Sequence, residues 1–365
     1  MLRVYHFVLD HRIGGPHIYV DMLRKALSSR VKSFLVTTNR GSMTDIALVN
    51  FRHYWPPLYI LEGLLNCFLL LMMVMFGRIP RKKTIFNIHG ASNIFPVIVA
   101  RLVGVPVVWS FHETSHEFKF LAEIGLRVLK GYPHILTVVA NKSADVYGLK
   151  GAEFVPVAVD EEFWSLEKVN EADRIRCGWG RERDDSLTLL VVGNLNPLKG
   201  IDVLLEALKK LDGKFHLKIV GAELSTHREY ACELRRQVNE ILVQKPGSVI
   251  EFLGWADKRD VRALLATCDV FVLPSRSEAC PTVLLEAMAM GCLCIASDVG
   301  DVRVMLSGYA YGKVFTSEDS DALTDCLRSF RCGADVLTRQ AGIVYRLEDT
   351  SGKMLTLYNR LLASK

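Results

Sequence analysis

Short apolar runs alternate with helical patterns along the chain, and this alternation limits the possible folds more than any other feature. The runs that are typical of strands lie at 33–38, 84–88, 105–110, 135–140, 187–193, 215–221, 270–273 and 292–296. Strands separated by helices pair in parallel, because each helix carries the chain back to the edge where the next strand begins. The pattern therefore predicts an α/β protein with parallel sheets.

The length of 365 residues favours two domains, since one domain commonly has roughly 100–200 residues. Half of the residues are hydrophobic, which is enough for two buried cores. The extended segment 155–160 predicts the exit from a first domain. The charged segment 161–186 predicts a linker and a short helix, and a second domain begins at Leu187.

The segment 278–300, EACPTVLLEAMAMGCLCIASDVG, combines a turn, a helix and a strand. Pro281 suits a first helical position, and Gly291 suits a helix end. The start of such a helix presents unpaired N–H groups and the positive end of a dipole, which favour a phosphate. Glu278 and Glu286 flank this point and can accept hydrogen bonds from hydroxyl groups. Taken alone, the spacing also fits an ordinary βαβ unit without a ligand.

Further motifs occur in a fixed order along the chain. They are IGGP at 13–16, VPVAVD at 155–160, VGNLNPLKGID at 192–202, EFLG at 251–254 and CDVFVLPS at 268–275. Together with the pair Glu278 and Glu286, they resemble the signature of retaining GT-B glycosyltransferases (glycosyltransferase family 4, glycosyl transferases group 1). The resemblance is strongest from about 187 to 300 and thin between 40 and 85.

The resemblance implies a GT-B fold, in which two Rossmann-like parallel-sheet domains face a central cleft. Residues 1–160 correspond to an N-terminal acceptor-side domain, and residues 161–345 correspond to a C-terminal domain that binds the nucleotide sugar. Residues 346–365, with an amphipathic pattern, correspond to a C-terminal helix that crosses back to the N-terminal domain.

The resemblance also assigns roles in the second domain. Lys199 would stabilise the negative charge that grows on the departing diphosphate, and Glu278 would contact the transferred sugar. Glu286 would bind the ribose hydroxyls, and the helix start at Pro281, Thr282 and Val283 would bind the phosphates. Asn194 stands where the family usually has an arginine, so this donor-binding position lacks a charge. A solvated loop lysine remains the alternative for Lys199.

In the first domain, Gly14 and Gly15 have no side chains, so the backbone can approach the donor closely. His112 follows a strand-like run and resembles the family histidine that meets the transferred sugar, which makes it a catalytic candidate. His89 also follows a strand. A purely structural role remains the alternative for both histidines.

The family reaction is the transfer of a sugar from a nucleotide diphosphate-sugar to a glycan or lipid-linked acceptor, with retention of configuration by front-face displacement. This implies a hexosyltransferase of surface polysaccharide biosynthesis. No metal site and no cofactor are expected, because no strand-terminal DxD pair is present. The alternatives are a GT-B nucleotide-sugar epimerase or hydrolase, and a non-catalytic membrane-associated GT-B protein.

The segment 58–76, LYILEGLLNCFLLLMMVMF, carries Glu62 as its one charge. Aromatic residues precede it (Tyr54, Trp55 and Tyr59) and basic residues follow it (Arg78, Arg81, Lys82 and Lys83). The pattern fits a buried crossover helix, a helix lying on a membrane, or a membrane span. Residues 1–150 have a formal charge of +10, so an anionic membrane surface contacted through residues 54–83 is an expected partner. No nucleic-acid motif is present, and we expect no nucleic-acid partner.

The first residues read as a strand rather than as a secretory leader. The nine cysteines show no paired CxxC pattern of a zinc site, and their odd number favours a reducing compartment over a disulfide framework. We therefore expect a cytoplasmic protein. If residues 54–83 bind lipid, we expect the protein to be peripheral at the inner face of the membrane.

Overall fold

The computed structural model describes residues 1–9, 15–38, 44–50, 56–176, 186–329, 341–342 and 344–364. Packing divides the chain into two compact units. The first comprises Met1–Ala158 together with Tyr345–Lys365, and the second comprises Val159–Val344. The acceptor and donor roles of the ranges 1–160 and 161–345 stay predictions.

The first unit is built on a parallel sheet of seven strands. The strands are β1 (Leu2–Val8), β2 (Val31–Thr37), β3 (Ile46–Ala47), β4 (Thr84–His89), β5 (Val107–Phe111), β6 (His134–Val138) and β7 (Glu153–Phe154). Their order in the sheet is β3-β2-β1-β4-β5-β6-β7. The intervening helices are α1 (Gly15–Ala26), α2 (Pro56–Met75), α3 (Ile94–Val103), α4 (Lys119–Leu129) and α5 (Asn141–Tyr147).

The central strands β4 and β5 are buried along their whole length, which explains why their sequences read as nearly continuous apolar runs. The core around them contains large aromatic side chains, of which Trp109 and Phe86 have no exposed surface. The Trp109 ring fills the space beside Gly125, where an added Cβ would lie 2.4 Å from the ring. The glycine in α4 is therefore a packing requirement of the first core.

The second unit contains a parallel sheet of six strands. The strands are β8 (Leu187–Val192), β9 (Phe215–Val220), β10 (Val249–Gly254), β11 (Val270–Leu273), β12 (Leu293–Ser297) and β13 (Gly312–Phe315). Their order is β10-β9-β8-β11-β12-β13. The helices are α6 (Glu171–Arg176), α7 (Ile201–Lys210), α8 (Arg228–Gln244), α9 (Lys258–Thr267), α10 (Thr282–Ala289), α11 (Val302–Leu306) and α12 (Ser320–Ser329).

Each sheet has a topological switch point near its centre, where the order of the strands reverses. In the first unit the change lies between β1 and β4, and in the second it lies between β8 and β11. Ligands of doubly wound α/β proteins bind at such switch points, at the carboxyl ends of the strands. The predicted α/β class and the two Rossmann-like sheets are confirmed, and each predicted strand is present with ends shifted by no more than two residues.

The last helix, α13 (Leu347–Ala363), belongs to the first unit and packs on α1. Tyr358 is fully buried, and its hydroxyl accepts a hydrogen bond from Asn87 at 2.7 Å. On the outer side of the helix, Arg360 pairs with Glu153 at 2.8 Å. A buried polar contact and an ion pair therefore fix the end of the chain to the sheet that begins it.

Helix α2 is buried on one side only. Leu70 and Val74 join the first core, and Asn66 bonds both backbone groups of Val49. The opposite side exposes large apolar side chains, namely Ile60, Leu61, Leu64, Leu65, Phe68 and Met75. Helix α2 is therefore a crossover helix that is buried on one side and exposed on the other. Among the described residues, no helix has the length and hydropathy needed to cross a bilayer.

Candidate functional site

The loop that follows β8 brings Lys199 to the switch point of the second sheet. A short 3-10 turn, Pro197–Lys199, ends at Gly200 in the left-handed conformation with φ of 61°. A Cβ at Gly200 would lie 2.0 Å from the carbonyl oxygen of Pro274, just after β11. Only glycine allows both this backbone angle and this close approach. The loop after β8 is thereby held against the loop after β11.

Lys199 and Glu278 form a direct ion pair across this edge. The Nζ atom of Lys199 lies 2.6 Å from Oε1 of Glu278, and the two side chains are 28% and 13% exposed. The hydroxyl of Ser275, which is fully buried, donates to the same carboxylate oxygen at 2.8 Å. Glu278 is therefore oriented by a neutral donor and a charged donor together. Sequence reasoning missed Ser275, although it lies in the quoted CDVFVLPS motif.

The same loop leads into α10. Pro281 is the residue before the helix, with ψ of 109°, and it gives no side-chain cap. The prediction that Pro281 is the first helical residue is therefore off by one position. Within the described part of the chain, the backbone N–H groups of Thr282 and Val283 have no hydrogen-bond partner. Two free donors at the positive end of a helix are suited to an anion.

Glu286 lies one turn further along α10 and is partly exposed. Burial raises the pKa of its carboxyl group to about 7, against the opposing charge of Lys258. Near neutral pH the group is therefore divided between its protonated and ionised forms, and it can both donate and accept hydrogen bonds. Such a group suits a diol, in which each hydroxyl is a donor and an acceptor.

Asn194 is exposed, and its side-chain oxygen accepts a hydrogen bond from the backbone N–H of Ala222 at 3.2 Å. The nearby Arg276 does not replace the missing charge at this position. Its guanidinium binds both oxygens of Asp202 at 2.9 and 2.7 Å and also pairs with Glu318 at 2.8 Å. Arg276 therefore ties the start of α7 to the β11 edge. This contact spans 74 positions of sequence, and no local pattern indicates it.

Arg276 and the hydroxyl of Tyr230 also affect the charge of Asp202. Burial alone would raise the pKa of this carboxyl group, but hydrogen bonds from Arg276 and Tyr230 outweigh burial and lower it. Asp202 therefore stays ionised and keeps the arginine neutralised.

The first unit brings histidines together at its own switch point. His89 ends β4, and His112 follows β5. Their ring nitrogens Nδ1 and Nε2 lie 3.0 Å apart, and His6 of β1 contacts the other side of the His89 ring at 3.2 Å. Burial lowers the pKa of His112 to about 4 and that of His6 to about 3. It also lowers the pKa of His89 well below its usual value, assisted by the neighbouring histidines.

Three comparisons bear on these arrangements. Residues 180–331 match the family described as Glycosyl transferases group 1. The chain is 32% identical over 145 residues to phosphatidyl-myo-inositol mannosyltransferase of Mycolicibacterium smegmatis. The aligned residues cover 38% of this chain and 35% of that protein. The chain is 25% identical over 167 residues to an uncharacterized 41.2 kDa protein in the cps region of Klebsiella pneumoniae, which covers 45% and 43%. The chain thus spans less than half of the length of both relatives.

The fold has a full-length counterpart among solved structures. The crystal structure of HepE from Anabaena in complex with UDP and glucose superimposes with a TM-score of 0.75 at 15% identity, over 100% of this chain and 99% of HepE. Residues 180–331 therefore carry the sequence pattern of the group 1 glycosyltransferases, and the chain has the GT-B fold. The matched range contains the Lys199–Glu278 pair and the whole of α10.

The predicted site residues fall into two groups, one in each unit. Lys199, Glu278 and the start of α10 meet at the edge of the second sheet, whereas His112 lies in the first unit. Gly14 lies outside the described residues. Gly15 opens α1, and apart from its chain neighbours and the backbone of its own helix no described atom lies within 4 Å of the position of its absent Cβ. In the described ranges, no group of His, Cys, Asp and Glu side chains is arranged to hold a metal ion.

Proposed function

We propose that the protein transfers a sugar from a nucleotide diphosphate-sugar to a glycan or lipid-linked acceptor, with retention of configuration. The observation that carries the proposal is the 2.6 Å contact between Lys199 and Glu278, beside a helix start with free N–H groups at a sheet switch point. A cation, a carboxylate and two free amide donors at one edge can bind a diphosphate and a sugar that are joined by one bond.

Each group has a separate task in this reaction. The N–H groups of Thr282 and Val283 bind the diphosphate, and Lys199 stabilises the charge that develops as the sugar–phosphate bond breaks. Glu278 accepts hydrogen bonds from hydroxyls of the transferred sugar, and Glu286 binds the ribose diol. In the first unit, His112 is the catalytic candidate, at the carboxyl edge of β5. Asn194 and Pro281 shape the donor loop, and Gly15 leaves room at the start of α1.

The ion pair sets the position of Lys199 before the donor arrives. Because the Lys199 side chain is 28% exposed, its ammonium group can turn part of its hydrogen bonding from Glu278 to a phosphate oxygen without unfolding the loop. Glu278 keeps its bond from the buried Ser275 when Lys199 is shared in this way. Glu278 is thus preorganised for the sugar, whereas Lys199 follows the charge of the leaving group.

The nucleotide is tested with a thermal-shift panel of UDP, GDP and ADP and their sugars. A ligand that binds only the folded protein raises the melting temperature. Uridine compounds come first, because HepE was crystallised with UDP and glucose. Transfer is then measured as release of the nucleoside diphosphate with and without acceptor glycans. Acceptor-dependent release supports transfer, whereas release without acceptor indicates hydrolysis and inversion of a sugar centre indicates an epimerase.

For the acceptor, we propose a lipid-linked substrate at an anionic membrane surface, in surface polysaccharide biosynthesis at the cytoplasmic face. The exposed apolar side of α2 supports this proposal, since Leu61, Leu64 and Phe68 recur at helical spacing and are 53–58% exposed. Arg81, Lys82 and Lys83, close to the end of that helix, are exposed too. Tyr54 and Trp55, the predicted aromatic flank, lie outside the described residues. A relative acts on phosphatidyl-myo-inositol by its name, and another lies in a cps region.

Cosedimentation with vesicles tests the membrane part. The protein is expected to pellet with vesicles that contain anionic lipid, and to do so less at high salt. Replacing Arg81, Lys82 and Lys83 by Gln removes about 1 kcal/mol of attraction for each charge near the surface. Replacing Lys209, Lys210 and Lys214 of the second unit provides a control with the same change of charge. Equal binding by both triple variants, or no binding at low salt, contradicts the membrane proposal.

A further inference from the structure

Three imidazole rings form a continuous chain through the first unit. The Nδ1 atom of His6 lies 3.2 Å from Nε2 of His89, and Nδ1 of His89 lies 3.0 Å from Nε2 of His112. His6 and His89 are each 1% exposed, and His112 is partly exposed. This row of three histidines therefore begins inside the protein, at His6 of β1, and ends at His112, a ring that solvent or a substrate can reach.

One carboxylate joins the segment that follows His89 to the backbone of His112. Glu113 accepts hydrogen bonds from the backbone N–H groups of His112 and Ala91, each at 3.1 Å. The edge of the Tyr19 ring packs against His89 and His112, with centroid distances of 6.0 and 5.4 Å. His89 and His112 are thus held at a fixed distance, and their contact is part of a built network.

Only a few combinations of tautomers are possible for the three histidine rings. A neutral imidazole has one N–H group, and the low pKa values of all three rings keep them neutral at neutral pH. Each ring contact requires one N–H group and one lone pair. Only two arrangements satisfy both contacts: every ring is protonated on Nδ1, or every ring is protonated on Nε2. The position of the proton on one ring therefore fixes its position on the other two.

The inner end of the chain favours one arrangement. Among the described residues, the ring of His6 makes no hydrogen bond other than the one to His89. The Nε2 atom of His6 therefore favours a bare lone pair, because a buried N–H group without a partner costs free energy. His6 then carries its proton on Nδ1 and donates to His89, which donates from its own Nδ1 to His112. His112 is left with its proton on Nδ1, the nitrogen that faces away from the chain.

We propose that His89 and His6 are positioning residues that hold His112 in the Nδ1–H form, so that its outer nitrogen donates a hydrogen bond to an oxygen of the substrate. The buried histidines determine whether His112 offers a donor or a lone pair, and neither touches the substrate itself. This inference rests on the proposed function for the identity of the substrate oxygen, a hydroxyl of a sugar. The coupling of the three rings does not depend on it.

Nitrogen-15 NMR of histidine-labelled protein tests the coupling without any activity assay. Long-range proton–nitrogen correlations distinguish Nδ1–H from Nε2–H rings, and His112→Gln assigns the His112 signals by their loss. We expect the Nδ1–H form for His112 in the unaltered protein. His89→Leu removes both contacts of the central ring, and His112 should then shift to the Nε2–H form that free imidazoles favour. His89→Asn keeps a donor at the position of Nδ1 and should preserve the Nδ1–H form.

Two further variants keep the test decisive. His6→Leu breaks the chain one ring earlier and should also release His112 to the Nε2–H form, so the test stands even where His89→Leu does not fold. His116→Asn changes an exposed histidine outside the chain and should leave the His112 spectrum unchanged. An Nε2–H form of His112 in the unaltered protein, or an unchanged His112 spectrum in His6→Leu, overturns the inference.

Kinetics separate this inference from the proposed function. With donor and acceptor, His89→Leu should lower kcat/KM about tenfold, the size of one neutral hydrogen bond. His89→Asn should recover most of that loss. Binding of the nucleoside diphosphate alone should be unchanged in both variants, because its groups lie in the second unit. Coupled tautomers in a protein without transferase activity would support the histidine chain and overturn the proposed function.

Discussion

Removal of the Lys199 ammonium group should separate catalysis from stability. Lys199→Met keeps the length of the side chain and removes the charge 2.6 Å from Glu278. The lysine is 28% exposed and the glutamate 13%, so the pair lies between exposed pairs, worth about 0–1 kcal/mol, and buried pairs, where loss of one partner costs about 3–5 kcal/mol. Because Ser275 still donates to Glu278, we expect a stability cost of about 1 kcal/mol, or roughly 2–4 °C.

The effect on turnover should be much larger. Loss of one preorganised donor to a developing negative charge costs about 2.7–4 kcal/mol of barrier, which is roughly 100–1000-fold in kcat. The assay is acceptor-dependent release of nucleoside diphosphate, measured beside thermal unfolding. Lys210→Met is the matched control, since Lys210 pairs with Asp321 at 2.7 Å in the same unit and is 35% exposed. The control should lose a similar or smaller amount of stability and keep normal turnover.

Two results would refute this reasoning. Turnover of Lys199→Met within tenfold of the unaltered protein would show that the lysine does not stabilise the leaving group. A loss of turnover matched by a collapse of the melting temperature would show that the ion pair is structural.

Three other changes test the packing and charges around the site. The pKa of Glu286 is raised from 4.5 to about 7 in the folded protein, so the stabilising contribution of the protonated carboxyl group is complete below about pH 4.5 and is lost as the pH rises to about 7. Glu286→Gln keeps an uncharged side chain at every pH. Chemical denaturation should therefore show a free energy of unfolding about 1–2 kcal/mol higher than that of the unaltered protein at pH 8, and no difference at pH 4. Gly200→Ala should lower the melting temperature by several degrees and reduce turnover, because its Cβ meets the Pro274 oxygen at 2.0 Å; unchanged values contradict the loop packing. Tyr358→Phe removes the acceptor of the buried Asn87 side-chain N–H and should cost about 1–3 kcal/mol; a neutral substitution in calorimetry would show that this bond does not anchor α13.

The regular elements could be predicted because their causes are local. Strands β4 and β5 are buried on both faces, so their sequences are continuously apolar, and the helices between strands set the parallel direction. The order of the motifs then indicated the family. The position of Pro281, one residue before α10, differs from the prediction because a β-region ψ angle at a helix start follows from the loop geometry and not from proline preference alone.

The contacts of the site could not be predicted in the same way. Lys199 reaches Glu278 across 79 positions, and His6 reaches His89 across 83. Such pairs depend on which strands become neighbours, since β1 lies beside β4 and β8 lies beside β11. His6 gave no signal in sequence, because a histidine inside a first strand resembles any half-buried polar residue. The half-exposure of α2 was also not decidable from an almost uniformly apolar segment.

Calorimetric titration of nucleoside diphosphates tests the central claim most directly, because the claim is that a diphosphate binds between Lys199 and the start of α10. UDP, GDP and ADP are titrated into the unaltered protein, Lys199→Met and Lys210→Met. We expect one of the three nucleotides to bind the unaltered protein and Lys210→Met with equal affinity and to bind Lys199→Met at least about tenfold more weakly. Equal affinity for all three proteins, or no binding of any nucleotide to the unaltered protein, would contradict it.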